Sequence, residues 1–203
     1  MTKKIPQTPK TAKLPPLRRK NTDLRTREYL SDKEIEALRK AARANQHHGL
    51  RNDTIILLMF THALRVSELT ALRWEQVDLQ KGILHVKRIK NGLPSTHPLR
   101  GQEIRALRQL ARDYPNTKYV FISERKAPLA TRSIRHIISE AGELAGLPFP
   151  VHPHMLRHST GFYLANKGHD TRAIQGYMGH ANIKNTVIYT ELSVNRFNDF
   201  WND

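Results

Sequence analysis

Residues Asn52 to Ala63 carry six consecutive large apolar side chains, Ile55 to Phe60, between Asn52-Asp-Thr54 and Thr61-His62. At helical pitch such a run has no polar face, so as a helix it must be covered on most sides. It is far shorter than the ~20 residues that span a bilayer. No longer apolar run occurs in the sequence, and the segment therefore predicts the axis of a packed core. No apolar h-region follows the basic N-terminus, so a secretory signal is not expected. The chain is expected to be cytoplasmic, with no membrane partner.

The neighbouring segments supply layers to cover that axis. Ser31-Asp-Lys-Glu34 is a capping box, and Ile35, Leu38, Ala41 and Ala42 follow at helical spacing. Ser67 is expected to cap a short helix running to about Trp74. Gly82–Arg88 and Pro94–Leu99 read as two strands around Lys90-Asn91-Gly92, because an Asn-Gly step tolerates the positive φ of a tight hairpin. Glu103–Arg112 is helical, Tyr119–Ser123 a short strand, and Thr131 the cap of a helix carrying Ile134, Ile137, Ile138 and Ala141. Helices follow at His154–Asn166, Thr171–Met178 and about Ile183–Thr190, with Gly179 as a C-cap. Val194–Trp201 closes the chain as an amphipathic stretch. The expected fold class is mainly α with a small antiparallel β-sheet (α+β). No repeat of 20–50 residues is visible, which argues against a solenoid.

Charge narrows the class of partner. The 203 residues hold 34 Lys+Arg against 18 Asp+Glu, a net charge of +16. A surplus this large calls for a polyanion, and nucleic acid comes first. Half of it sits in residues 1–27, where nine basic residues face one acid, Asp23. With four prolines and few large apolar groups, residues 1–28 are expected to form a flexible basic arm that tracks phosphates without reading bases. Residues 29–203 are expected to form the folded domain. The absence of cysteine rules out a disulfide scaffold, a thiolate zinc finger, a Cys nucleophile and an iron–sulfur cluster.

Four segments carry candidate chemistry. In Ala63-Leu-Arg65-Val-Ser67-Glu68, Arg65 stands at a helix N-terminus, a place suited to anions and equally to a purely structural arginine. In His152-Pro-His154-Met-Leu-Arg157-His158, His154 and Arg157 share a helix face. The four-residue spacing of His154 and His158 suits a metal, but Met155 occupies the place of the glutamate that the zincin pattern needs. In Tyr177-Met-Gly179-His180, a polar side chain follows the C-cap. Tyr189 lies in an apolar-leaning helix and Lys90 at a hairpin tip. Each has a bland structural reading by itself.

Taken in order, Arg65, Lys90, His154-x-x-Arg157 and His180-x₈-Tyr189, with the strings LRVSEL, HMLRHS, MGHANI and TVIYT, resemble the active-site signature of the tyrosine recombinases, the lambda-integrase family. The match runs from about residue 29 to the C-terminus and is most similar to the short fimbrial phase-variation recombinases. The resemblance implies a catalytic domain that cuts and rejoins DNA through a 3′-phosphotyrosyl intermediate and a Holliday junction. Tyr189 would be the nucleophile, Arg65 and Arg157 the phosphate clamp, and Lys90 the general acid. His154 would exchange the tyrosine proton, and His180 would donate to the phosphate. Glu68 and His158 would orient the arginines. Those residue types suit the reaction, which needs a nucleophilic oxygen, bidentate neutralisation of phosphate charge and a proton for the leaving oxygen. Lys87, Arg88, Arg132 and Arg135 are expected to contact DNA. No metal or organic cofactor is implied.

The resemblance further implies double-stranded DNA as partner, a homotetramer on synapsed sites, exchange of a C-terminal segment near 194–203 between protomers, and association with the nucleoid. Relatives commonly begin with a separate helical domain. Here the basic arm stands in that place, so accessory DNA-bending proteins are expected to help. Relatives commonly carry glycine where this chain has Ala63. A type IB topoisomerase-like nicking and closing enzyme and a non-catalytic DNA-binding regulator are the alternatives.

Overall fold

A computed structural model of the chain describes residues 27–88 and 92–191. The apolar run lies in α2 (Gly49–Thr61), in which Ile55, Ile56, Leu58 and Met59 are fully buried. Helix α1 (Asp32–Arg43) lies along it, burying Ile35, Leu38 and Ala42. The capping box forms as expected: Ser31 Oγ accepts from the Glu34 N–H and the Glu34 carboxylate accepts from the Ser31 N–H. An ion pair of 2.7 Å from Arg39 Nε to Asp53 Oδ1 ties the two helices together on the wet side.

Helix α3 (Val66–Thr70) is shorter than expected and begins two residues earlier. Its N-cap is Arg65, whose N–H donates to Glu68 Oε2 at 2.9 Å, so Ser67 is not the cap. The helix does not reach Trp74 because the next backbone groups pair elsewhere: Trp74 N–H donates to Lys118 O at 3.2 Å and Val120 N–H to Leu72 O at 3.0 Å. Trp74–Gln76 is a separate 3-10 turn.

The sheet has three antiparallel strands in the order β1 (Val77–Asp78), β2 (Ile83–Val86) and β3 (Ser95–Pro98). In its register Leu84 faces His97 and Val86 faces Ser95, and Leu84 and Val86 enter the core. The expected strand at Tyr119–Ser123 does not form. Only single bridges occur, Tyr119 with Arg73 and Ile122 with Pro128, because neither partner segment stays extended long enough for a ladder.

Helices α4 (Gly101–Asp113), α5 (Thr131–Leu144), α6 (Pro153–Asn166), α7 (Thr171–Met178) and α8 (Lys184–Glu191) complete the described body. Thr131 is the first helical residue of α5 and Ala130 its cap. Pro153 opens α6, where its missing N–H is harmless. Asp170 caps α7 by accepting from the Arg172 and Ala173 N–H groups, and Gly179 ends it with φ 64°.

Two apolar clusters result. The larger draws on α1, α2, α4, α5, the sheet and the start of α6. The smaller holds Ala63, Ala165, Ile174, Met178 and Tyr189, with Phe162 and Leu164 against it. Residues 1–26 of the basic arm, the hairpin tip with Lys90 and the C-terminal stretch 194–203 lie outside the described residues. Arg27, counted with the arm, is held by an ion pair to Glu34. No described helix is long and apolar enough to cross a membrane.

Candidate active site

The site is built where the chain leaves α2. Ala63 takes a left-handed backbone, φ 50°, which costs an L-residue about 1–2 kcal/mol. This is the position at which the resembling family commonly carries glycine. The turn aims the Ala63 carbonyl into the protein, where it accepts from Arg157 Nη1 and from Arg88 Nη1 at 3.2 Å. Arg65 follows two residues later at the head of α3. Its Nη1 donates to Glu68 Oε1 at 2.7 Å.

Arg157 projects from the buried side of α6 and is almost fully enclosed. Its second nitrogen donates to Met178 O at 2.6 Å, at the end of α7. Three guanidiniums, Arg65, Arg88 and Arg157, thus gather around Glu68. Burial, then Arg65 and Arg88, push Arg157 down to about 9; it still carries its charge at neutral pH. Burial alone would raise the Glu68 carboxyl. The Arg65 N–H and the two guanidiniums beside it overcome that and hold it below the ordinary carboxylate range. A set of fixed cations with too little local negative charge is an anion site. Arg65, His154 and Arg157 line one small cleft with Met59, Leu64, Val66 and Pro153.

Tyr189 belongs to the smaller apolar cluster. Its ring is 2% exposed, stacks with His180 and meets Phe162 edge-on. The ring packs directly on Gly161 of α6, where a Cβ would stand 2.6–2.7 Å from three ring carbons. Burial pushes the phenol up to about 12 against the pull of Arg157 and Arg65. Its hydroxyl lies 2.9 Å from His158 Nδ1. Burial lowers the His158 pKa, with His154 and Arg157 adding to the effect and Glu28 opposing it. The ring is therefore neutral near pH 7 and can accept a proton.

The imidazole beside the phenol is thus His158. His154 was expected there, but the structure leaves its side chain exposed one turn earlier on α6, at the cleft with the arginines. His180 Nδ1 lies 2.8 Å from Thr186 Oγ1. Burial, then Arg157, Arg65 and Arg88, push His180 down to about 4.

Of the residues expected to contact DNA, Lys87, Arg132 and Arg135 are exposed. Arg88 is corrected: its side chain is 0% exposed and turned inward, because the Glu68 carboxylate and three backbone carbonyls accept from its two terminal nitrogens there, although the buried Nε has no partner among the described residues. Three contributors were not read from the sequence. Thr186 holds His180, Gly161 admits the tyrosine ring and the Ala63 carbonyl holds two arginines. Only Thr186 had a usable signal, since it and Tyr189 are three apart on one helix and fall on its buried face. Among the described residues no cluster of three or more His, Asp or Glu is placed to hold a metal ion.

A mainly helical body that gathers arginines and neutral imidazoles beside a buried phenol has the parts of an enzyme that breaks and rejoins phosphodiester chains. The profile of the Phage integrase family matches residues 28–196. The chain belongs to that family and is a tyrosine-type site-specific recombinase. It is 44% identical over 184 residues to the Type 1 fimbriae regulatory protein FimB of Escherichia coli strain K12, covering 88% of this chain and 92% of FimB. It is 31% identical over 173 residues to the tyrosine recombinase XerC of Bacillus subtilis strain 168, covering 81% of this chain and 57% of XerC. In three dimensions it matches a crystal structure of the XerA recombinase with a TM-score of 0.73 at 30% identity, over 85% of this chain and 63% of that one. The XerH recombinase bound to its difH substrate shares the fold, with a TM-score of 0.69 at 22% identity over 81% of this chain and 50% of that one. Neither the topoisomerase-like reading nor the non-catalytic regulator is favoured by these relatives.

Proposed function

We propose that Tyr189 is the nucleophile of a DNA strand-cleavage step and that His158 takes its proton. The observation that carries this reading is the 2.9 Å contact between the Tyr189 hydroxyl and His158 Nδ1, on the helix that also presents Arg157. In the step, the phenolic oxygen bonds to phosphorus and the bond to the 5′ oxygen breaks. The phenolic proton passes to His158, and Lys90 supplies a proton to the leaving oxygen. Arg65 and Arg157 neutralise the non-bridging oxygens. A donor role for His180 requires Nε2–H, hence Nδ1 accepting from the Thr186 hydroxyl. The 3′-phosphotyrosyl bond conserves the energy for religation. Because the phenol is buried, α8 must shift outward for attack.

The partner is double-stranded DNA, with Lys87, Arg132 and Arg135 contacting phosphates and His154 lining the cleft beside Arg65 and Arg157. Strand exchange through a Holliday junction then inverts, excises or integrates a segment, in a homotetramer on synapsed sites aided by DNA-bending proteins at the nucleoid. A phase-variation role follows from the likeness to FimB.

The test is a nicked suicide substrate resolved on a denaturing gel. Tyr189→Phe should bind DNA and form no covalent adduct, and His158→Ala should slow adduct formation by about 10²–10⁴-fold. An adduct that persists in Tyr189→Phe overturns the assignment.

A further inference from the structure

Arg88 lies outside the signature residues, yet its side chain is fully enclosed, at 0% exposed. Nη1 donates to Glu68 Oε2 at 2.9 Å and to Ala63 O at 3.2 Å. Nη2 donates to Tyr177 O at 2.6 Å and to His62 O at 3.3 Å. One planar fork therefore joins the α2–α3 connection, the α3 carboxylate and the end of α7. Gly179 makes room for it, since a Cβ there would stand 2.6 Å from Arg88 Nε.

Two of these acceptors are shared with the other guanidiniums. Glu68 also receives Arg65, and the Ala63 carbonyl also receives Arg157. We infer that Arg88 is a positioning residue that sets Arg65 and Arg157 in register with each other. This rests on the reading of those two arginines as the phosphate clamp. Charge balance alone does not explain Arg88, because Arg65 already pairs with Glu68 and Arg157 adds a further cation to the site. A buried charge next to like charges is expensive, and an apolar side chain of similar length would fill the space at less cost. What only arginine offers is four hydrogen bonds in a fixed plane. With the fork removed, Glu68 and the Ala63 carbonyl keep their arginines but lose the link between them.

The test uses the full chain and two nicked substrates, one with the natural scissile phosphate and one with an uncharged methylphosphonate at that position. Arg88→Met should bind DNA within about twofold of the wild type and cleave the phosphate about 100-fold more slowly, the loss expected from a misplacement of about 1 Å. On the methylphosphonate the deficit should shrink to about tenfold or less, because an uncharged centre asks less of the clamp. Arg88→Lys keeps the charge without the fork and should show the same pattern; it carries the test if Arg88→Met does not fold. Cleavage within threefold of the wild type, or an equal deficit on both substrates, overturns the inference. An adduct in Tyr189→Phe would instead overturn the reading beneath it.

Discussion

The two apolar clusters differ in what they are made of. The large one is dense with leucine and isoleucine, and α2 runs through it with its apolar side chains enclosed. The small one is built from two alanines, Ile174, Met178 and the Tyr189 ring, and it borrows its tightest contact from a glycine. Aliphatic bulk gives the first its stability. The second gives up bulk so that a phenol, two imidazoles and three guanidiniums can lie within reach of one another. Elements that must move in function are drawn from the less stable parts of a fold, and α8 contributes only the Tyr189 ring to the smaller core.

Acid should separate the two regions most strongly. His97 of β3 stacks on Tyr177 of α7 and is pushed down to about 3, by burial and then by His62 and Arg88. His180 is pushed down to about 4. Between pH 6.5 and 4 both stay neutral in the folded chain, while the unfolded chain protonates them. The unfolded state then binds more protons, so stability falls as the pH falls, by on the order of 1 kcal/mol per pH unit for each. Urea denaturation from pH 7 to pH 4 should show this slope, and His180→Asn should remove about half of it. A flat profile would mean that the seam between the clusters is not held by neutral histidines.

Leu58→Ala should cost about 3–4 kcal/mol, the penalty of a cavity in a well-packed core. Cleavage per folded molecule should stay unchanged when measured well below the melting temperature. A cleavage defect without loss of stability would break the division of labour. Gly161→Ala should do the reverse. The new methyl group must displace the Tyr189 ring, which costs about 1–3 kcal/mol, and cleavage should fall by at least tenfold while DNA binding holds. The smallest effect is expected at the hinge between the regions. Ala63→Gly relieves the left-handed strain and should raise stability by no more than about 1 kcal/mol, visible as a small upward shift in Tm.

Much of the architecture was legible in the sequence because its causes are local. The Ser31–Glu34 capping box, the apolar run in α2, the Thr171–Met178 helix with its glycine cap and the paired strands each rest on neighbouring residues. The order of the motifs likewise carried the family. Where an element depended on a distant partner, the reading failed. Residues 72–74 leave the helix to pair with 118–120, and Tyr119–Ser123 finds no partner long enough to make it a strand.

The site divides along the same line. Spacing alone places His154, Arg157 and His158 on one helix and gives their directions around it. It does not say which imidazole meets a phenol 31 positions further on; the packing of α8 against α6 brings Tyr189 to His158 and leaves His154 at the cleft. Charge alone marks Arg88 as a cation that could meet DNA. Its inward turn depends on a carboxylate 20 positions before it and a carbonyl 89 positions after it. Helix pitch and capping are properties of adjacent residues and are written in the sequence. The partner of a buried polar group is set by which helices pack together, and that was decided only in the tertiary structure.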